Sequence, residues 1–125
     1  VRHQYIYVGT VCGKNRRVGV RGGKVYSTSE YRSFIDLLAF VMRAKNNRMR
    51  WGTFEGPVAV RITEKINPKR DIDSLVAPIL DAMQKAWVIR NDSQVKKVFL
   101  HKINDTLENV LTISVEEISG EKAAS

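Results

Sequence analysis

The sequence predicts an α+β fold: one small domain with a mixed or mainly antiparallel β-sheet and two main helices. Three observations carry this. Several segments alternate apolar and polar residues with the period of a half-buried strand, most clearly Val58, Val60 and Ile62 against Ala59, Arg61 and Thr63. Two longer stretches instead repeat apolar residues every three or four positions, the period of an amphipathic helix. Finally, 125 residues make about one domain, long enough to bury a core without disulfides or structural metal.

In chain order the elements read β-β-β-α-β-α-β-β. Residues 4–8 (Gln-Tyr-Ile-Tyr-Val) are β-formers and predict the first strand. Residues 9–15 break the pattern as a loop. Arg17–Val20 and Lys24–Tyr26 flank Arg21-Gly22-Gly23, a hairpin closed on glycines that tolerate positive φ. Ser27 and Glu30 have capping-box spacing and predict the start of the first helix. Tyr31, Phe34, Ile35, Leu38, Val41 and Met42 form its apolar stripe, Arg43 and Lys45 suit its C-terminal dipole, and Asn46-Asn47 can end it. Residues 48–56 read as a loop.

Pro57 opens the next strand and Asn67-Pro68 closes it, since proline lacks a ladder donor. Leu75, Val76, Ile79, Leu80 and Met83 predict a second helix over about residues 74–86, with Pro78 removing one hydrogen bond and bending it. Val95–Ile103 and Asn109–Glu117 are the last strands, joined by the polar turn Asn104-Asp105. The domain spans residues 1–118, and the small, polar residues 119–125 form a frayed tail. There is no internal repeat, low-complexity tract or second domain.

Composition excludes some classes. No apolar run reaches the length of a membrane helix, and residues 1–29 lack the pattern of a secretory signal, so a cytoplasmic protein without a membrane partner is expected. Cys12 is the only cysteine, which excludes an intrachain disulfide and a cysteine-rich zinc site. His3, Cys12 and His101 are too scattered for a zinc signature, and no serine or cysteine has the context of a nucleophile. The glycines match no phosphate-binding loop. Trp51 and Trp87 suit a core or an interface, or stacking on bases.

Charge points to a partner. Twenty-one Lys and Arg against thirteen Asp and Glu give +8, and residues 1–29 carry Arg2, Lys14, Arg16, Arg17, Arg21 and Lys24 with no acid. Arg43, Lys45, Arg48 and Arg50 form a second group. Such clusters are the footprint of a nucleic-acid binder, although a solvated basic surface looks the same. Lys14, Arg16, Arg17 and Arg21 in their glycine-containing loop are assigned to phosphate contacts made without reading bases.

Against this basic background stands Lys69-Arg70-Asp71-Ile72-Asp73-Ser74, with Asp92 nineteen residues beyond Asp73. Asp71 and Asp73 share a face if the segment is extended. A helix that leaves and returns through a loop could bring Asp92 to the same end of the sheet. Clustered carboxylates repel one another, and a hard, oxygen-ligated cation such as Mg²⁺ removes that cost while serving phosphate chemistry. The same residues also suit a plain helix start: Asp73 as N-cap, Asp71 as an acid favoured by the dipole, Asp92 in a polar turn.

The runs Lys69-Arg70-Asp71-Ile72-Asp73-Ser74-Leu75, Ile79-Leu80-Asp81-Ala82-Met83 and Asp92-Ser93-Gln94-Val95 resemble the RusA family of Holliday junction resolvases. The likeness covers about residues 20–117 and concentrates in 69–95, with Gly23-Lys24-Val25-Tyr26-Ser27 a weaker upstream part. It implies a small α+β domain acting as a homodimer that nicks opposed strands of branched, four-way DNA in recombination and repair. By the same likeness Asp71, Asp73 and Asp92 are the catalytic, metal-binding carboxylates for Mg²⁺, with Mn²⁺ as a substitute.

Three departures bear on activity. Ser74 replaces the asparagine usual after the second aspartate, and Asn91 replaces the penultimate acid of the last motif. Ala77 stands where the family carries a functional lysine, a charge suited to neutralising the transition-state phosphate. Lys69, Arg70 and Lys85 are the nearest substitutes in sequence and are counted among the DNA-binding residues. The alternative is a catalytically weak or silent junction binder of the same fold. The family's N-terminal proline-and-asparagine segment is not evident in residues 1–15.

Overall fold

A computed structural model describes residues 1–13, 18–21, 24–66, 72–104 and 107–118. The strands are β1 (Arg2–Val8), β2 (Val18–Arg21), β3 (Lys24–Ser27), β4 (Val58–Ile66), β5 (Val95–Asn104) and β6 (Val110–Glu117). The helices are α1 (Ser29–Met49) and α2 (Val76–Lys85), with a 3₁₀ turn at Asp92–Gln94 before β5. The element order is the one the sequence predicts. The tail over 119–125 lies outside the described residues.

The main sheet has four strands in the order β1-β6-β4-β5, and β2 pairs with β3 in a separate two-stranded sheet. It is mixed: β4 runs parallel to β5 and antiparallel to β6, and β1 is antiparallel to β6. A parallel pair requires a crossover, and α2 supplies it between β4 and β5. β5 and β6, consecutive in sequence, therefore have β4 between them.

Period two dictates which residues enter the core. His3, Tyr5 and Tyr7 of β1, Val58, Val60, Ile62 and Ile66 of β4, and Leu111, Ile113 and Val115 of β6 are all buried. Against them pack Tyr31, Phe34, Leu38 and Met42 of α1 and Ile79, Ala82 and Met83 of α2. Each large apolar side chain contributes about 1.5–3 kcal/mol by leaving water. Helix to helix, the Tyr31 hydroxyl donates to Asp81 Oδ2 at 3.0 Å, Lys85 pairs with Asp36, and Arg43 Nη2 donates to the Lys85 carbonyl at 3.0 Å. Among the described residues, no helix is long and apolar enough to cross a membrane.

Local signals shift by a few residues. Ser27 does not cap α1, because it still belongs to β3. Thr28 is the N-cap, with extended backbone and a hydroxyl that accepts from Tyr31 N–H at 3.2 Å. Nor do Asn46 and Asn47 end the helix. The Asn46 side chain is buried and accepts the Tyr5 hydroxyl at 2.6 Å, so its amide serves the core, and Arg50 closes α1 in the left-handed region at φ 57°. Pro78 removes no helical bond. With the N-cap at Leu75 it lies in the first turn, whose N–H groups have no intrahelical acceptor.

The candidate carboxylate site

The acidic motif enters α2 through residues 72–75, which form a turn. Asp73 is exposed, and its carbonyl accepts the Val76 N–H at 3.3 Å. The N-cap position is Leu75, whose side chain makes no cap hydrogen bond. Ser74 is buried, and its hydroxyl has no hydrogen-bond partner among the described residues. Asp71, Lys69 and Arg70 lie outside the described residues. Further back, Glu64 is a wholly buried carboxylate near the end of β4, beside Lys102 of β5 in the strand register.

The other end of α2 is elaborately bonded. Trp87 N–H donates to Gln84 O at 3.1 Å and Val88 N–H to Met83 O at 2.9 Å, a Schellman closure. Its left-handed position, usually glycine, is Trp87 at φ 59°, with the indole 57% exposed. Phe54 N–H donates to the Val88 carbonyl at 2.9 Å.

Next comes a capping box. The Asn91 side chain accepts from Ser93 N–H at 2.8 Å, while Gln94 Oε1 accepts from Arg90 N–H at 2.7 Å and Asn91 N–H at 3.1 Å. Gln94 Nε2 donates to the carbonyls of Phe54 and Gly56 at 2.9 and 2.8 Å, tying the start of β5 to the segment before β4. Arg90 grips Glu55 with two bonds of 2.6 and 3.0 Å, and those bonds hold the Glu55 carboxyl below the usual carboxylate range. Asp92 opens the 3₁₀ turn, exposed, with its N–H on Gln84 Oε1 at 3.3 Å.

Asp73 and Asp92 are therefore at opposite ends of one helix. The ten residues of α2 span about 15 Å at the usual helical rise. Val58 stands beside Val95 and Ile66 beside Asn104, so Asp92 joins the sheet where β4 begins and Asp73 follows from where β4 ends. The expectation that the helix returns its flank to the same end fails for a physical reason. A crossover between parallel strands must carry the chain back to the far end of the sheet. Mg²⁺ holds its oxygen ligands at about 2.0–2.1 Å, so two aspartates this far apart do not fit one ion within one chain. Among the described residues there is also no group of three His, Cys, Asp or Glu able to hold a metal.

Of the cations assigned to DNA, Lys14, Arg16 and Arg17 lie outside the described residues, and Arg21 ends β2. Lys85 sits at the Asp92 end of α2, paired with Asp36, two turns beyond Ala77. His3 and Cys12 are buried and His101 is exposed on β5, at the opposite edge of the sheet from His3. Trp51 stacks on His3 with ring centres 4.1 Å apart, a structural use.

Sequence reasoning missed the bonding role of Gln94, the strained Trp87 and the buried Glu64. Gln94 carried a signal, since its spacing three residues after Asn91 is a capping box. Glu64 could have been found as an acid at an inward position of an alternating strand.

Compared with known proteins, residues 9–116 match the family described as endodeoxyribonuclease RusA. No curated protein matches the chain.

Proposed function

The chain belongs to the RusA family, and we propose that it is a Mg²⁺-dependent, structure-selective endonuclease that resolves four-way DNA junctions by paired nicks. The observation that carries the reading is the family match over residues 9–116, which contains the whole Asp71–Asp73–Asp92 motif. The exposed position of Asp73 supports it. Mg²⁺, or Mn²⁺ in its place, supplies charge neutralisation at the scissile phosphate and a more acidic water. Asp71, Asp73 and Asp92 are the acids that would hold it, Asp73 and Asp92 coming from different copies of the chain because one copy keeps them about 15 Å apart, and Lys14, Arg16, Arg17, Arg21, Lys69, Arg70 and Lys85 would bind the phosphate backbone around them. The active species is a cytoplasmic homodimer, since two opposed strands call for two sites related by symmetry.

A second reading has its own support. Ala77 brings no cation to the first turn of α2, and Lys85 stands at the far end of the helix, engaged with Asp36. On that reading the protein binds junctions and cuts them slowly or not at all.

A four-way junction assay in Mg²⁺ and in Mn²⁺ separates the two. Paired, symmetrical nicks that disappear in Asp73→Asn support the nuclease. Tight, salt-sensitive binding without nicks in either metal, unchanged by Asp73→Asn, supports the silent binder.

A further inference from the structure

We infer that Trp87 stacks on a nucleobase of the bound junction, beside a phosphate-binding rim formed by Arg43, Arg48 and Arg50. The inference rests on the junction-binding reading above and names a contact surface outside the acidic motif.

The backbone at Trp87 is the first observation. It lies in the left-handed region at φ 59°, where every side chain larger than glycine's is strained. Such strain persists only where the surroundings impose it, and here they do. Trp87 N–H donates to Gln84 O at 3.1 Å, Val88 N–H donates to Met83 O at 2.9 Å, and the Trp87 carbonyl accepts the Thr53 hydroxyl at 2.6 Å. All three bonds use the backbone of Trp87 and Val88, so a glycine would keep every one of them. The indole adds little burial in exchange for the strain. It is 57% exposed, while Ala86 and Val88 on either side are buried. A broad aromatic face held outward on a rigid turn suits a flat, aromatic partner.

The surrounding charge says which partner. α1 and α2 end side by side, since Arg43 Nη2 donates to the Lys85 carbonyl at 3.0 Å and Phe54 N–H, in the loop after α1, to the Val88 carbonyl at 2.9 Å. Arg43 and Arg48 lie in the last two turns of α1 and Arg50 is its C-cap, all three exposed. Two neighbouring acids are engaged, Glu55 by Arg90 and Asp36 by Lys85, whereas Arg48 and Arg50 make no ion pair among the described residues. Asp92 stands at the same end of α2, its N–H on Gln84 Oε1 at 3.3 Å.

An exposed aromatic ring beside free guanidinium groups takes nucleic acid, with phosphates on the arginines and a base on the ring. A continuous duplex keeps its base faces stacked, and baring one costs energy. The open centre of a branched junction leaves such faces free. Trp87 therefore favours branching over any sequence, because every base has a π-face.

Fluorescence tests the contact with cleavage disabled. Trp51→Phe leaves Trp87 as the sole tryptophan. Its emission should be quenched by a four-way junction in EDTA, and far less by a linear duplex. Emission unchanged by a junction that binds overturns the proposal, as does emission that shifts with protein concentration in the absence of DNA, which assigns Trp87 to a protein contact.

Trp87→Gly separates function from fold. It should keep or raise the melting temperature while weakening junction binding about 5- to 100-fold, and Trp87→Phe should restore most of that affinity. A lower melting temperature with unchanged junction affinity makes the indole structural and overturns the proposal. Arg48→Gln should lower the slope of log affinity against log salt by about one, and an unchanged slope removes Arg48 from the rim. A wild-type chain that binds no DNA strikes the junction reading and this contact with it. Junction binding as tight without the indole strikes the contact alone.

Discussion

The two ends of α2 are built by different means. At the Asp92 end, backbone and side-chain bonds interlock: a Schellman closure, an Asn91 cap, the double grip of Arg90 on Glu55, and Gln94 tied to Phe54 and Gly56. At the Asp73 end the N-cap is Leu75, a residue with no cap hydrogen bond of its own, beside a buried Ser74 hydroxyl that has no partner among the described residues. One carboxylate stands beside an interlocked set of bonds, the other on the turn that leads into the helix. The difference separates residues whose loss costs fold from residues whose loss costs function.

The largest effect expected is on cleavage. Asp73→Asn and Asp92→Asn should each lower junction cutting by about 10²–10³-fold, as the loss of one electrostatic group commonly does, with melting temperature nearly unchanged. Both aspartates are exposed, so a large loss of stability in either variant would break the assignment.

Gln94→Ala comes next and separates the two ends. It removes bonds to four backbone groups, at Arg90, Asn91, Phe54 and Gly56, and should cost about 2–3 kcal/mol in chemical denaturation. Ser74→Ala does the opposite. Removing a buried hydroxyl that makes no bond among the described residues should stabilise by about 1 kcal/mol, measured the same way. If Ser74→Ala destabilises, the two ends are more alike than their bonding suggests.

The smallest effect is a dependence on pH. Burial holds His3 below its ordinary value. His3 packs on Phe54, which forms a bridge with Ile89 at the braced end. The unfolded chain takes up a proton where the folded protein does not, so the His3 contribution is whole above about pH 6.5 and is lost as the pH falls through that value toward the native pKa. His3→Phe should flatten the fall in melting temperature between about pH 7 and pH 5.

Much of this fold was legible because each period maps onto one kind of element. The alternation at 58–63 and the stripe from Tyr31 to Met42 gave β4 and α1 directly. Pairing partners were not legible, since alternation says which face a residue occupies and not which strand lies alongside. The order β-α-β is compatible with either strand direction, and only the parallel pairing of β4 with β5 shows that nineteen residues of spacing separate Asp73 from Asp92. Ser27 misled because Thr28, next to it, is an equally good cap and β3 claims the serine. The candidate acids could be read from spacing and family likeness, but their placement depended on the crossover. Trp87 was invisible, because nothing in a sequence marks a tryptophan in a glycine's conformation.

The position of β6 has a consequence in time. Last of the described strands in chain order, it lies inside the sheet, between β1 and β4. Its pairing with β1 joins Arg2 to Glu116, more than a hundred residues along the chain. Until β6 is made and inserted, the facing edges of β1 and β4 are both open, and the sheet stays in two parts. Loop closure over such distances is slow and exposes strand edges meanwhile. Folding should therefore await nearly the whole chain, and a truncation before Val110 should leave the core open, not merely trim its rim.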